Sequence, residues 1–516
     1  MELELRGITK RFPGVVANDD VNLTVHGGEV LALVGENGAG KSTLMNILYG
    51  LYKADEGEIL VDGQAVHFTS PRDAIDAGIG MVHQHFMLVP VFTVAENVVL
   101  GVEPTLSLGR LDLATARRRV SELSREFGLH LDPDAMTEEL AVGIQQRIEI
   151  VKVLFRDAKV VVFDEPTAVL TPQEIEDFFR IVETLTAAGC AVVFITHKLK
   201  EAIRIANRIV VLRRGKTVGE ADPKTVTQAE LAEMMVGRPV DLVVHKEVSN
   251  PGDVVLGVTD LTVLDAAGRA HVNGVSFEVR VGEIVGVAGI QGNGQSELVE
   301  ALVGLRRPAA GNVTLNSRDI THSSVRERNA IGIAHIPEDR QRDGLVKDFT
   351  LTENFALTGY YAPPLSSGIN MNWDGARTEA ERLVKAFDIR TPSTEANTGK
   401  LSGGNQQKVI VAREISRPIK LAIASQPTRG VDVGSIEYIH ERLVELRDSG
   451  VPVLVVSTEL DEVMALSDRV LVMFDGRIVA NLARADTNNA EVGLYMAGAK
   501  DDTKIVAETP YGGSAS

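Results

Sequence analysis

A glycine-rich segment in the first half of the chain has the spacing of a phosphate-binding loop, G-x-x-x-x-G-K-[ST]. It reads GENGAGKS from Gly35 to Ser42, after the apolar run EVLALV and before the helix-like run TLMNILYG. Glycines there let successive backbone N–H groups turn onto phosphate oxygens, the lysine bridges the outer phosphates, and the serine hydroxyl can ligate Mg²⁺. The segment predicts a site for a nucleoside triphosphate. Its predicted contacts are Gly35, Glu36, Asn37, Gly38, Ala39, Gly40, Lys41, Ser42 and Thr43.

Further polar residues follow apolar, strand-like runs in the same half. Asp164 and Glu165 end the run VVVFDE, so a buried strand would carry two carboxylates to one edge of a sheet. Asp164 suits the Mg²⁺ shell and Glu165 can polarise an attacking water, while His197, after AVVFIT, can reach the γ-phosphate or that water. An exposed acidic strand end or a structural histidine explains each residue alone, but not the set in this order. We predict Glu165, His197 and Gln84 as catalytic residues, and Ser42, Gln84 and Asp164 as metal ligands.

The second half repeats the plan of the first but changes the residues that could do chemistry. GEVLALVGENGAGKSTLMNILYG (28–50) aligns with GEIVGVAGIQGNGQSELVEALVG (282–304), which places Gln295 where the first loop has Lys41. The glycines of the second loop are kept, so it is expected to hold ATP without hydrolysing it. The other replacements are Glu338 for Gln84, Ser425 for Asp164, Gln426 for Glu165 and Thr458 for His197.

Both halves alternate short runs of Val, Ile and Leu with helix-period stretches, which is typical of buried parallel strands and helices. The predicted class is α/β, with two tandem P-loop ATPase domains. Residues 105–158 read as helices without strands and indicate a helical subdomain set into each α/β core. The predicted boundaries are a first nucleotide-binding domain at 3–239, a linker at 240–253, a second nucleotide-binding domain at 254–498 and a flexible tail at 499–516.

Composition excludes several classes of protein. The net charge of −18 and the pI near 5.2 argue against a surface for nucleic acid, which would be basic. A single cysteine, Cys190, excludes an intramolecular disulfide framework and fits a reducing compartment. The sequence has neither an apolar run of about 20 residues nor the pattern of a signal peptide. His83 and His85 flank Gln84, but no Cys/His cluster accompanies them, so zinc is not expected.

Taken together, these motifs resemble the ATP-binding subunit of an ABC transporter with two fused nucleotide-binding domains, over residues 3–498. By that resemblance LSGGNQQK (401–408) is the signature motif, and LAVGIQQR (140–147) is its altered counterpart in the first half. Phe12 stands where the family has an aromatic residue that stacks on adenine, with an ordinary core phenylalanine as the alternative. Asp432 matches the D-loop aspartate, which Thr171 replaces in the first half.

The resemblance implies two unequal ATP sites, because domains of this family meet head to tail. The phosphate loop of one domain then faces the signature of the other. The first site combines the intact residues of the first half with Ser402, Gly403, Gly404, Asn405 and Asp432 of the second. The other site combines the altered loop with the altered signature at Ala141, Val142 and Ile144. One competent and one degenerate ATP site are therefore expected, with ATP and Mg²⁺ as cofactors.

Within the family the chain resembles importers of simple sugars such as ribose, galactose and xylose, and more closely the nucleoside branch. That branch implies two transmembrane permeases and a substrate-binding lipoprotein as partners, with no nucleic acid, and peripheral attachment at the cytoplasmic face of the membrane. Phe86, Met87 and Leu88 could line the groove that receives a permease helix, or pack within their own domain. The alternatives are the same role in a sugar importer, a twin-cassette protein acting on ribosomes or DNA, and a regulatory module that does not hydrolyse ATP.

Overall fold

The computed structural model describes residues 1–83, 86–106, 110–167, 170, 172–241, 243–367 and 370–501. Two compact units divide the chain, Met1–Val240 (unit 1) and Asp241–Ser516 (unit 2). Within the described residues, no helix is both long enough and apolar enough to cross a lipid bilayer. The predicted tail from residue 502 onward lies outside the described residues.

Unit 1 begins with an antiparallel hairpin and continues as alternating strands and helices. Its strands are β1 Glu2–Phe12, β2 Val15–His26, β3 Val30–Val34, β4 Glu56–Val61, β5 Gln64–Val66, β6 Ile79–Val82, β7 Val160–Asp164, β8 Ala191–Thr196, β9 Arg208–Arg213 and β10 Lys216–Ala221. Its helices are α1 Lys41–Leu48, α2 Pro71–Asp76, α3 Val94–Val99, α4 Leu113–Glu126, α5 Val142–Phe155, α6 Pro172–Ala187, α7 Leu199–Ile205 and α8 Gln228–Val236.

The central sheet of unit 1 explains why its strands are apolar throughout. In the described part of the chain its order is β10-β9-β3-β8-β7-β6, and every neighbouring pair from β9 to β6 is parallel. All residues of β3 and β8 are buried because parallel strands are covered on both faces. A second sheet, in the order β2-β1-β4-β5, is antiparallel and packs its apolar side chains into the same core as β3.

Helices α3, α4 and α5 pack together as the predicted helical subdomain. Asp112 caps α4 by accepting a hydrogen bond from the Thr115 amide, and Thr93 caps α3 in a capping box with Glu96. Asn97, fully buried, donates from Nδ2 to Val89 O at 3.0 Å and thereby ties α3 to the segment before it. The prediction of helices in this region is confirmed.

Unit 2 repeats the order of unit 1. Its strands are β11 Val254–Leu264, β12 Ala270–Arg280, β13 Ile284–Ala288, β14 Ala310–Leu315, β15 Arg318–Asp319, β16 Ile333–Ile336, β17 Ser366–Ser367, β18 Asn370–Met371, β19 Leu421–Ser425, β20 Val453–Ser457, β21 Arg469–Phe474 and β22 Arg477–Ala483. Its helices are α9 Gln295–Val303, α10 Val325–Ala330, α11 Leu351–Ala356, α12 Trp373–Ala386, α13 Gly403–Ile415, α14 Val433–Asp448, α15 Leu460–Leu466 and α16 Asn489–Met496. The central sheet, β16-β19-β20-β13-β21-β22 as described, has the strand order of unit 1. The α/β fold class is confirmed.

The segment that the sequence predicts as a linker is attached to unit 2. Lys246 Nζ donates to the carbonyls of Leu466 and Ser467 at 2.8 and 2.7 Å and pairs with Asp468 at 2.8 Å. Ser249 Oγ donates to a carbonyl of the turn before β13 at 2.8 Å. Backbone carbonyls at the end of α15 attract the ammonium group, as expected at a helix C-terminus. Residues 246–249 are therefore part of the second unit and are held at fixed positions on it.

Candidate functional site

The phosphate loop of unit 1 connects β3 to α1 and has the backbone that the motif requires. Gly40 has a φ angle of 104°, and a Cβ atom there would overlap the carbonyl oxygen of Ala17, so only glycine fits. Lys41 begins α1, and its Nζ atom donates to the carbonyls of Gly35 and Glu36 at 2.7 and 3.1 Å. The ammonium group therefore lies inside the loop, where phosphate oxygens of a nucleotide would replace those carbonyls as its partners.

The strand ends of unit 1 bring the predicted acid and base groups to the same edge. Asp164 ends β7 and is followed by Glu165, whereas His197 follows β8, the parallel neighbour of β7. His197 Nδ1 lies 2.9 Å from Glu165 Oε1. Glu165 has a φ angle of 48°, which is uncommon for a residue with a side chain and turns its carboxylate out of the strand direction.

The two adjacent carboxylates, Asp164 and Glu165, have pKa values shifted in opposite directions. Burial, with a smaller contribution from the charge of Glu165, raises the pKa of Asp164 to about 6. Burial also opposes the charged form of Glu165, but the hydrogen bond and charge of His197, together with Lys41, hold the pKa of Glu165 below its usual value. Burial lowers the pKa of Lys41 against the pull of both carboxylates. Glu165 is therefore the carboxylate that stays ionised and can accept a proton.

The donor groups beside the loop suit a hard divalent cation. Ser42 lies in the first turn of α1, and the two adjacent carboxylates include one, Asp164, whose ionised form is destabilised where it stands. A cation with oxygen ligands would relieve that destabilisation. Within the described residues no group of three or more His, Cys, Asp and Glu side chains is placed to hold a metal ion. Gln84, the third predicted ligand and a predicted catalytic residue, lies outside the described residues.

Phe12 lies at the surface of unit 1 and does not belong to the core. Its side chain is 38% exposed, its ring meets that of Tyr52 edge to face at 5.6 Å, and Lys10 Nζ lies 5.6 Å from its centroid. An exposed ring at the end of β1 is available for stacking, which the core alternative would not allow. Sequence reasoning did not identify Tyr52, whose ring contacts that of Phe12.

The phosphate loop of unit 2 keeps the backbone and loses the charge. Gly294 has a φ angle of 98°, and a Cβ atom there would overlap the carbonyl oxygen of His271, as at the first loop. Gln295 Nε2 donates to Ile290 O at 3.0 Å, which is the kind of contact that the lysine makes in unit 1. A neutral amide therefore satisfies one of the two corresponding loop carbonyls without supplying a cation for phosphate.

Two further contacts distinguish the site of unit 2: a pair of neutral side chains at the strand ends, and a carboxylate that contacts the phosphate loop. Gln426 has a φ angle of 48°, and its Nε2 atom donates to Thr458 Oγ1 at 3.1 Å. This amide–hydroxyl pair occupies the positions of the carboxylate and imidazole of unit 1. Ser296 Oγ donates to Glu338 Oε2 at 3.1 Å, and the same carboxylate forms an ion pair with Arg429. The loop serine of unit 2 therefore already has a carboxylate partner.

The intact signature lies at the start of α13 in unit 2. Ser402 caps the helix, and Asn405 Nδ2 donates to its hydroxyl at 2.8 Å. Asp432 caps α14 by accepting from the Ser435 amide at 2.8 Å. A Cβ atom on Gly404 would overlap the Asp432 carboxylate, so the signature and the D-loop aspartate are adjacent. In unit 1, by contrast, Ala141 stands at the cap position of α5 and makes no side-chain cap bond.

A hydrogen bond that sequence reasoning missed joins two catalytic segments in unit 1. Thr167 Oγ1 donates to Glu201 Oε2 at 2.5 Å, which ties the turn after Glu165 to α7, the helix that follows His197. Unit 2 has the same bond between Thr428 and Glu462, at 2.6 Å. The signal was available, because both pairs have the same residue types at the same spacing. The counterpart of Asp432 in unit 1, Thr171, lies outside the described residues.

A groove of about 250 Å³ opens on unit 1 between the α/β core and the helical subdomain. Its wall includes Tyr49, His83, Met87, Leu100, Glu149, Lys152 and Arg156. Met87 is 63% exposed, whereas Leu88 packs against the core and Phe86 is half-buried. Of the three residues predicted for a groove, Met87 lines it and Leu88 follows the alternative of packing within the domain. His83 faces Tyr49 edge to face at 5.9 Å, and burial lowers its pKa.

The fold and the phosphate loops define a P-loop ATPase built from two cassettes, which carry different side chains at corresponding positions of the site. The ABC transporter family matches residues 18–168 and 272–429. The chain belongs to the ABC transporter family and is one of its ATP-binding ATPases.

Two of the most similar proteins share 49% identity over 496 residues, or 96% of this chain. They are the nucleoside import ATP-binding protein NupA of Lactococcus lactis subsp. cremoris, of which 98% is covered, and the guanosine import ATP-binding protein NupO of Bacillus subtilis, of which 97% is covered. The glucose import ATP-binding protein TsgD13 of Haloferax volcanii is 46% identical over 530 residues, covering 97% of this chain and 96% of that protein.

Proposed function

We propose that the chain is the ATP-hydrolysing subunit of an importer for nucleosides. The observation that carries the proposal is the 49% identity, over 96% of the chain, to two proteins whose names specify nucleoside and guanosine import. The glucose import protein is almost as similar, at 46%, so a sugar importer is the second candidate. The ATP-binding subunit of such a system does not itself contact the cargo, and the site residues are compatible with either cargo.

In the proposed mechanism the residues of unit 1 divide the work of hydrolysis. The loop amides and Lys41 hold the outer phosphates and balance their charge. Glu165 accepts the proton of the attacking water, and His197, bonded to Glu165 at 2.9 Å, holds that carboxylate in place beside the γ-phosphate. Ser42, Asp164 and Gln84 would hold Mg²⁺, which supplies charge neutralisation across the phosphates when bound.

We further propose that the two ATP sites are unequal because they pair residues of opposite units. The competent site would use the loop of unit 1 with the signature of unit 2, so that Ser402, Gly403, Gly404, Asn405 and Asp432 complete it. The degenerate site would use Gln295, Gln426 and Thr458 with the signature counterpart that begins at Ala141. The sorting of the replacements supports this pairing, because independent losses would fall on both sites alike.

The permease partners would bind at the unit 1 groove, on the cytoplasmic face of the membrane. An exposed methionine and leucine beside two cations, Lys152 and Arg156, suit a short amphipathic helix. The carboxylate of Glu149 already accepts from the Met87 amide at 2.8 Å and lies 3.7 Å from Lys152. The groove therefore keeps an excess of positive charge and favours a helix that carries an acidic residue.

The test is ATP hydrolysis by the complex assembled with its two permeases in lipid nanodiscs, with the matching receptor lipoprotein. We expect guanosine or another nucleoside to stimulate hydrolysis in the presence of receptor, and glucose or ribose to leave it at the basal rate. Stimulation by a sugar and not by nucleosides would move the assignment to the second candidate. Co-purification of the chain with ribosomes or DNA, and with no permease, would contradict an importer of either kind.

A further inference from the structure

Arg340 of unit 2 has no role in the mechanism proposed for hydrolysis, yet it contacts the backbone beside two predicted site segments. It begins a short π-helical turn, Arg340–Gly344, which follows Asp339. Its Nη1 atom donates to the carbonyl of Arg429 at 2.7 Å, and Nη2 donates to that of Gly430 at 3.0 Å. The guanidinium group therefore holds the backbone just before Asp432. Short π-helical turns occur frequently at functional sites.

The same guanidinium group lies against the signature. A Cβ atom built on Gly403 would lie 2.8 Å from Arg340 Nη2 and 3.3 Å from Cζ, so the side chain packs directly on the glycine backbone. The next residue, Gly404, abuts the carboxylate of Asp432. One planar side chain thus touches both the loop that begins α13 and the segment that begins α14. Its fixed fork of donors suits two neighbouring carbonyls.

The position of the Arg340 guanidinium group is energetically unfavourable for a charged side chain. Burial lowers the pKa of Arg340. Among the described residues its Nε atom is a buried donor with no hydrogen-bond partner, and its Nη atoms donate to backbone carbonyls. Burying a guanidinium group without a direct ion pair is unfavourable, so its retention calls for a compensating role.

Unit 1 provides an internal comparison for this arrangement. The stretch 339–344 in unit 2, DRQRDG, corresponds to the shorter stretch 85–87 in unit 1, HFM, which contains no arginine. The position paired with Gly403 in the sequence is Val142 in unit 1, whereas at Gly403 itself an added Cβ atom would lie 2.8 Å from Arg340 Nη2. The arginine therefore occurs together with the intact signature and is missing from the half whose signature is altered.

We propose that Arg340 is a positioning residue for ATP hydrolysis: it fixes the signature at Gly403 and the segment 429–432 in one arrangement, so that Ser402 and Asp432 act together on the bound triphosphate. This inference depends on the proposed pairing of the unit 2 signature with the competent loop. Arg340 acts through the backbone, so ATP binding to the loop of unit 1 does not require it, whereas turnover does.

The experiment compares Arg340→Ala, Arg340→Lys and a matched control, Arg342→Ala, in the complex with both permeases. Arg342 lies in the same turn, but its side chain is 76% exposed and pairs with the neighbouring Asp343. We expect Arg340→Ala to lower kcat by about 10-fold or more with KM for ATP within about 2-fold of the parent value, as for a preorganised catalytic contact. Lysine should restore part of kcat, and Arg342→Ala should match the parent.

Hydrogen exchange of the ATP-free chain supplies a readout that does not need turnover. Loss of the clamp should accelerate amide exchange in residues 429–435 of the Arg340→Ala protein and leave the loop of unit 1 unchanged. If that variant melts well below the control, Arg340→Met replaces it, since methionine keeps an aliphatic side chain, has no donor for the two carbonyls and should also lower kcat. A kcat for both variants equal to that of Arg342→Ala would overturn the proposal. A parent complex without any ATPase activity would instead count against the proposed function.

Discussion

At the scale of single residues, unit 2 keeps the geometry of the strand-end pair of unit 1, with a neutral amide and a hydroxyl in place of the carboxylate and the imidazole. Gln426 and Thr458 stand 3.1 Å apart, close to the 2.9 Å between Glu165 and His197, and both strand-end residues share a φ angle of 48°. The backbone therefore does not depend on the catalytic chemistry. What separates the units is the charge carried by a few side chains.

Substituting the proton acceptor tests this distinction. Glu165→Gln should lower ATP turnover of the assembled complex by about 10²- to 10⁴-fold, the usual contribution of a general base. Gln426→Glu should leave turnover within about 2-fold, because Gln295 and Ser425 still lack the charges needed there. The measurement is steady-state phosphate release at saturating ATP. Substantial turnover in the first variant would exclude Glu165 as the base.

The raised pKa of Asp164 predicts a pH-dependent stability difference. The folded pKa of about 6 exceeds the ordinary value of 3.8, so the ionised form is destabilised and its cost is complete above pH 6. Asp164→Asn should therefore raise the free energy of unfolding of the nucleotide-free protein at pH 8 by on the order of 1–3 kcal/mol. Its melting temperature should rise accordingly. The gain should shrink as the pH falls through 6 toward 3.8, and it should vanish below 3.8, where the parent carboxyl is protonated in both the folded and the unfolded state. Differential scanning calorimetry over this range checks it, and a pH-independent difference would contradict it.

At the scale of elements, the strands and helices of the site follow from local sequence patterns. The apolar runs before Asp164 and His197 predict buried parallel strands, and neighbouring parallel strands end at one edge, which is where the structure has both residues. The hydrophobic periodicity of the sequence does not by itself predict which elements contact each other. Tyr52 against Phe12 and Thr167 against Glu201 depend on how segments far apart in sequence pack, so the sequence-based prediction missed them.

The predicted linker is a second case in which contacts with a segment far away in the sequence could not be predicted. Its Pro, Gly and Asn residues indicate a segment without regular structure, and residues 246–249 have none. Their attachment to unit 2 depends on the half-buried ammonium group of Lys246, which donates to carbonyls at the end of α15, and no local sequence pattern predicts that contact. Roles assigned through resemblance, such as those of Ser402, Asp432 and Gln84, remain predictions.

The groove of unit 1 gives a prediction at this scale. Met87→Asp places a carboxylate on an exposed apolar wall, where it should repel the acidic helix proposed to bind and weaken permease assembly by about 10-fold or more. ATP binding by the free chain should not change. Val248→Asp, at a position that is 97% exposed and distant in sequence, is the control. Pull-down with both permeases measures the effect, and equal recovery of the two variants would place the docking surface elsewhere.

At the scale of the whole molecule, two copies of one fold within a single chain carry different side chains at corresponding positions. Unit 1 has the lysine, carboxylates and histidine predicted for hydrolysis, and unit 2 has the predicted signature, with its helix cap Ser402, and the aspartate at 432. Each unit taken alone lacks part of what the other retains. We propose that the loop of unit 1 and the signature of unit 2 serve the same ATP.

The most direct test is ATP hydrolysis by the complex with both permeases after blocking each signature in turn. Ser402 and Ala141 are both exposed helix-cap positions, so Ser402→Arg and Ala141→Arg form a matched pair that either unit can accommodate. We expect Ser402→Arg to lower turnover by about 10²-fold or more, the usual effect of losing a group that stabilises the transition state. Ala141→Arg should stay within about 2-fold of the parent. Turnover abolished by Ala141→Arg and retained by Ser402→Arg would contradict it.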